Sequence, residues 1–181
     1  MKNALILHGT ANNHTGNWFP WLTRELEKQG YRVFCPDLPQ AERPNIGRYT
    51  EYILSNWRFD NESIIVGHSS GAVEILGLLP QIPKDVVIAK AILVAGFTDS
   101  LGDTKSELFL TPFDYPAIRK KARKFIFFHS DTDPYVPLSH GEKLHALLGG
   151  ELIIVRDQGH FNLEKGPQYK EFPMLLEKIL E

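Results

Sequence analysis

A chain of 181 residues can bury one substantial core but is too short for two ordinary domains with separate cores, so residues 1–181 are expected to form one domain. Its 43% apolar and 23% charged content excludes disordered, collagen-like and disulfide-dense classes. A net charge of −2 offers no broad attraction to nucleic acid or anionic lipid, which favours a neutral or small substrate.

The single cysteine, Cys35, cannot form an intramolecular disulfide. The run from Met1 to Leu7 is too short for a signal-peptide core, and no apolar stretch approaches the roughly 18 residues of a membrane span. A cytoplasmic setting and a monomer as the default state are expected.

In chain order, Ala4 to Leu7 is a short apolar run that stops at His8-Gly9-Thr10, a buried strand opening into a polar loop. Trp18, Trp21, Leu22 and Leu26 recur at helical spacing, with Gly30 placed to end the helix. Tyr31 to Cys35 is a second strand, closed by Pro36. Asn45 can cap a helix that carries Ile46, Tyr49, Ile53 and Leu54.

Ser63 to Val66 is the third strand, and the apolar positions from Ala72 to Leu79 form the helix that leaves it, ended by Pro80 and Pro83. Ala91 to Ala95, Phe125 to Phe128 and Leu152 to Val155 are the remaining strands. A helix over about Leu138 to Leu148 and a last one over about Phe172 to Leu180 complete the set.

Short strands alternating with helices indicate an α/β fold with a mostly parallel six-stranded sheet covered on both faces. The longest stretch without a clear element, Thr98 to Lys124, is the only room for a lid, which must be minimal. The basic run Arg119 to Lys124 abuts the apolar Phe125 to Phe128 and reads as a solubilising flank rather than a phosphate site.

Acyl transfer needs a nucleophile, a base, a group that orients the base, and donors for the developing oxyanion. Gly67-His68-Ser69-Ser70-Gly71 places Gly-x-Ser-x-Gly at a strand-to-helix junction, where glycines relieve crowding around an exposed Ser69. His160 follows the sixth strand, and the segment after the fifth strand supplies Asp133, favoured, and Asp131, its rival.

The order Ser69, Asp133, His160 is the Ser-acid-His order of α/β-hydrolases. If the strand order is 2-1-3-4-5-6, the loop after the first strand neighbours the serine turn, so the backbone amides of Thr10 and Ser70 can face one oxygen.

These residues resemble a known family, the small serine hydrolases related to retinoblastoma-binding protein nine and the YdeN-like proteins. The resemblance rests on Asn17-Trp18-Phe19-Pro20-Trp21-Leu22 with Glu25-Leu26, Gly67 to Ala72, Ile92-Leu93-Val94 with Leu101-Gly102-Asp103, Thr132 to Pro137, and Gly159-His160-Phe161. It implies a compact α/β-hydrolase without the first two strands of larger relatives, and it selects Asp133, the residue before Pro134, as the acid. The chain lacks Leu-x-Cys-x-Glu, its nearest segment being Val33 to Asp37, so a retinoblastoma-type partner role does not transfer.

The expected chemistry is attack by Ser69 on a small or medium-chain ester or thioester, with His160 as base and no metal or cofactor. Amide hydrolysis, or a binding module with little turnover, are the alternatives. His8, Trp18 and Phe161 are candidates for a substrate pocket, although Trp18 can equally anchor its helix and His8 can simply shape the backbone. His140 and His145 are five residues apart and do not share a helical face, which argues against a zinc site, and Cys35 reads as a buried small residue.

Overall fold

The computed structural model describes residues 2–103 and 106–181, leaving Met1 and two residues of the Thr98–Lys124 segment, Thr104 and Lys105, outside the described residues. Six strands form one sheet: β1 (Asn3–Leu7), β2 (Arg32–Phe34), β3 (Ser63–His68), β4 (Ile88–Val94), β5 (Ala122–His129) and β6 (Glu151–Ile154). Their order is β2-β1-β3-β4-β5-β6, and every neighbouring pair is parallel.

Alternation along the strands builds both faces. Leu5, Leu7, Ile65, Ala91, Leu93, Phe125 and Phe127 point to one side, where they pack with α2 (Ile46–Asn56), α3 (Ser70–Leu78) and α5 (Leu138–Leu148). Ala4, Ile6, Ile64, Val66, Ile92, Val94, Ile126 and Phe128 point to the other, against α1 (Phe19–Lys28) and α6 (Pro173–Leu180). Strands covered on both faces are apolar without interruption, which is why β3, β4 and β5 read as continuous runs.

The helices begin where their local chemistry allows. Asn45 caps α2 by accepting the Arg48 amide at 2.9 Å, as its position before the apolar periodicity predicts. In α1, Pro20 occupies the first turn, where a missing N–H costs nothing. Phe172, expected inside the last helix, is the residue before it.

β1, β3, β4 and β5 run longer than their apolar stretches, whereas β2 keeps only the middle three residues of the expected Tyr31–Cys35 and β6 is shifted one residue earlier. β5 starts at Ala122, so half of the basic run lies in the sheet: Arg123 faces Glu62 at 3.6 Å and Lys124 meets Glu151 at 3.2 Å. Lys121 Nζ donates to the carbonyls of Pro83 and Val86. The Thr98–Lys124 segment also contains α4 (Tyr115–Arg119), capped by Asp114 accepting the Ala117 amide, so the irregular portion is shorter than the sequence suggests. Among the described residues, no helix is long and apolar enough to cross a membrane.

Candidate active site

Because all the strands are parallel, the C-terminal ends of β1, β3, β5 and β6 share one edge of the sheet. The chain turns outward in opposite directions from β1 and β3, making that pair the switch point. A cleft of about 1200 Å³ opens there, lined among others by Gly9, Thr10, His68, Ser69, Val136 and His160.

Ser69 sits between β3 and α3 at φ 55° and ψ −121°, a conformation that costs an L-residue about 1–3 kcal/mol and persists only when the surroundings impose it. Those surroundings are the two glycines. A Cβ on Gly67 would collide with the backbone of Gly71, and one on Gly71 would lie 2.5 Å from the His8 carbonyl oxygen and 2.6 Å from that of Leu7. The glycines therefore let the turn close on itself and press against the end of β1.

His160 Nδ1 donates to Asp133 Oδ2 at 2.7 Å. The Asp133 side chain is fully buried and that of His160 nearly so. Burial opposes ionisation of Asp133, but the His160 hydrogen bond, the imidazole charge and the amides of Val136 and Tyr135 outweigh it and hold the carboxyl below its usual range. With Nδ1 committed as donor, the neutral ring keeps its lone pair on Nε2.

Asp131 is exposed and accepts the Asp157 amide at 2.8 Å, bracing the loop after β6 rather than touching the imidazole. Among the described residues, Ser69 Oγ makes no hydrogen bond, so its proton is uncommitted.

Thr10 and Ser70 meet through their side chains, Thr10 Oγ1 donating to Ser70 Oγ at 3.0 Å. The Ser70 amide stands at the N-terminus of α3, ahead of the Ala72 and Val73 amides, which donate to the Ser69 carbonyl at 2.9 and 3.2 Å. A helix N-terminus with free amides favours a developing negative charge.

The three pocket candidates need correction, because none of them lines the cleft. His8 is fully buried, with Nε2 accepting the Leu38 amide and Nδ1 donating to the Gly9 carbonyl. Trp18 is fully buried between Phe19 and Phe172 and donates Nε1 to the Phe161 carbonyl at 3.0 Å. Phe161 is fully buried and stacks on Phe172. The apolar wall comes instead from Phe97, Leu108 and Val136, part of a small cluster with Val73.

Leu108 lies in the irregular segment after β4, where no periodicity marks it, so sequence reasoning missed it. The neighbouring Glu107 accepts from Arg43 at 2.9 Å and Asn45 at 3.0 Å, tying that segment to the start of α2 across the cleft rim.

The rest of the sequence's candidates have structural partners. His140 Nδ1 accepts the Thr98 amide, and His145 Nε2 meets the Gly150 carbonyl. Burial pushes the Cys35 thiol up to about 12, which suppresses the thiolate a nucleophile needs.

The pattern of the serine hydrolase family matches residues 4–179. The chain belongs to the serine hydrolase family. It is 27% identical over 168 residues to YdeN of Bacillus subtilis (strain 168), covering 91% of this chain and 88% of that protein. It is 26% identical over 164 residues to the serine hydrolase RBBP9 of Rattus norvegicus, covering 87% and 86%.

The crystal structure of the B. subtilis ydeN gene product superposes with a TM-score of 0.91 at 26% identity, covering 99% of this chain and 97% of that one. Est1E from Butyrivibrio proteoclasticus, in a complex with ferulic acid, shares the fold at a TM-score of 0.70 and 15% identity, covering 99% and 86%. Membership of the serine hydrolase family agrees with the expectation drawn from the motifs, and the α/β-hydrolase fold is the one expected.

Proposed function

We propose that this family member hydrolyses small or medium-chain carboxylic esters or thioesters through an acyl-enzyme on Ser69. The observation that carries the reading is the 2.7 Å bond from His160 Nδ1 to a buried Asp133 carboxylate, in the same cleft as a strained, uncommitted Ser69.

His160 Nε2 takes the Ser69 proton as Ser69 Oγ attacks the acyl carbon, and Asp133 holds the ring's tautomer and stabilises its positive form. The Ser69–His160 hydrogen bond closes on substrate binding, as such bonds do when they are open in the free enzyme. The amides of Thr10 and Ser70 bind the oxyanion, and losing one such donor costs about 2.7–4 kcal/mol of transition-state stabilisation. The imidazolium then protonates the leaving group. Water, deprotonated by the same ring, attacks the acyl-enzyme and frees the acid.

Phe97, Leu108 and Val136 offer an apolar wall for the acyl chain. Asn12 and Asn17 also line the cleft and offer polar groups for the leaving group. The test is a panel of p-nitrophenyl esters from two to twelve acyl carbons, with matched thioesters and amides. The reading expects turnover of esters and thioesters, a maximum at short or medium chains, and loss of turnover in Ser69→Ala. A folded parent inactive across the panel overturns it and leaves a binding module.

A further inference from the structure

The loop that carries His160 is built from unfavourable backbone. Asp157 and Phe161 have φ of 54° and 52°, left-handed values that cost a residue with a side chain and persist when its neighbours impose them, whereas Gly159, at 56°, adopts that region freely. Asp131, Ser130 and Thr132 accept the amides of Asp157, Gln158 and Gly159 ahead of the base, and three further side chains hold the loop from His160 to Leu163. Asn17 Oδ1 accepts the Leu163 amide at 3.2 Å, Trp18 Nε1 donates to the Phe161 carbonyl at 3.0 Å, and His68 Nε2 lies 2.8 Å from the His160 carbonyl oxygen.

Of these, only the His68 contact acts on the backbone of the base residue, and it comes from the residue that adjoins Ser69 at the end of β3. Its ring is buried beside the His160 ring, with centroids 4.7 Å apart, and Trp18 and Phe19 flank it. A carbonyl can only accept, so His68 Nε2 carries the proton, while Nδ1, without a partner among the described residues, keeps its lone pair. Burial, reinforced by the neighbouring His160, lowers the pKa of this ring to about 3, so it remains a neutral single donor at neutral pH.

We infer that His68 is a positioning residue for the reaction, its Nε2–H fixing the His160 backbone so that the base is held in register with the strand that presents Ser69. This rests on the assignment of Ser69 and His160 as nucleophile and base. It gives the histidine of Gly-His-Ser-Ser-Gly a task separate from shaping the serine turn. A displacement of the base by about 1 Å is enough to cost on the order of a hundredfold in rate without loss of binding.

Two substitutions separate the hydrogen bond from ring packing. His68→Phe keeps an aromatic ring and removes the donor, whereas His68→Gln places an amide N–H near the position of Nε2. With p-nitrophenyl butyrate, His68→Phe is expected to lower kcat by about tenfold to a hundredfold while KM stays within about threefold, with His68→Gln recovering most of the loss. Fluorophosphonate labelling of Ser69 should slow and recover in parallel. A His68→Phe protein as active as the parent, or two variants equally impaired, overturns the inference.

Nitrogen-15 NMR of the imidazoles in the unmodified protein gives an answer that needs no variant to fold. The inference expects His68 as the neutral Nε2–H tautomer, unchanged from pH 5 to 9. An Nδ1–H tautomer, or a ring that titrates in that range, contradicts it. Failure of the parent to label with fluorophosphonate would instead remove the Ser69 assignment, and the tautomer measurement would still decide whether the contact exists.

Discussion

The Thr10 hydroxyl donates to Ser70 Oγ at 3.0 Å, bridging the loop after β1 and the first turn of α3. These are the two segments whose amides are proposed to bind the oxyanion, so the contact fixes the spacing of the donors. Thr10→Val keeps the shape and the amide but removes the bond, which is worth about 1 kcal/mol. The expected outcome is a kcat lower by about fivefold with KM little changed, measured by steady-state ester hydrolysis.

The two acidic candidates make opposite predictions. Asp133→Asn leaves an amide that cannot stabilise the imidazolium and favours the wrong tautomer, so kcat should fall by about 10³–10⁴, the scale seen when a triad acid is neutralised. Asp131→Asn keeps an oxygen for the Asp157 amide and should retain activity within about threefold, in keeping with a solvent-exposed bond of small net worth. Comparable losses in both would reopen the assignment.

The lowered Asp133 pKa also fixes a sign for pH. The folded state binds the proton less tightly than the unfolded chain, so this group adds stability above its ordinary value of 3.8. That contribution is lost as pH falls through the folded value. Asp133→Asn should therefore flatten the acid limb of a Tm-against-pH curve below about pH 4.

Glu74, on α3, carries the reverse sign. It is fully buried, accepts the Thr50 hydroxyl at 2.7 Å, and burial drives its pKa well above the usual 4.5. Its protonated form is the one that fits the fold, so the associated stability is present below pH 4.5 and declines as pH rises toward the folded value. Glu74→Gln, which cannot ionise and keeps an oxygen for Thr50, should raise Tm at pH 8 by about 3 °C or more and leave it nearly unchanged at pH 4. A parent with equal Tm at both values, unaffected by the substitution, would refute this.

Most of the architecture was legible because it rests on local signals. The β3, β4 and β5 runs, the Asn45 cap and the order of Ser69, Asp133 and His160 are all written in short windows, and parallel pairing gathers their ends at one edge. Strand ends were misjudged where charged residues continue the pairing, as Arg123 and Lys124 do in β5, because backbone hydrogen bonds are indifferent to side-chain polarity.

The pocket was not legible. Trp18 reads as a lining because it follows the oxyanion loop, and Phe161 adjoins His160, but successive residues diverge: Asn17 and His160 line the cleft while their neighbours turn into the core. Phe97 and Leu108, which do line it, come from a segment held by long-range contacts such as that of Glu107 with Arg43. Such contacts leave no periodic trace.

The most direct test of the central claim is intact-protein mass spectrometry after exposure to a fluorophosphonate, with the adduct mapped by proteolysis. One adduct per chain on Ser69, absent from Ser69→Ala and strongly slowed in His160→Ala, is the result predicted. A folded parent that takes up no adduct, or one that carries it elsewhere, would contradict Ser69 as the nucleophile.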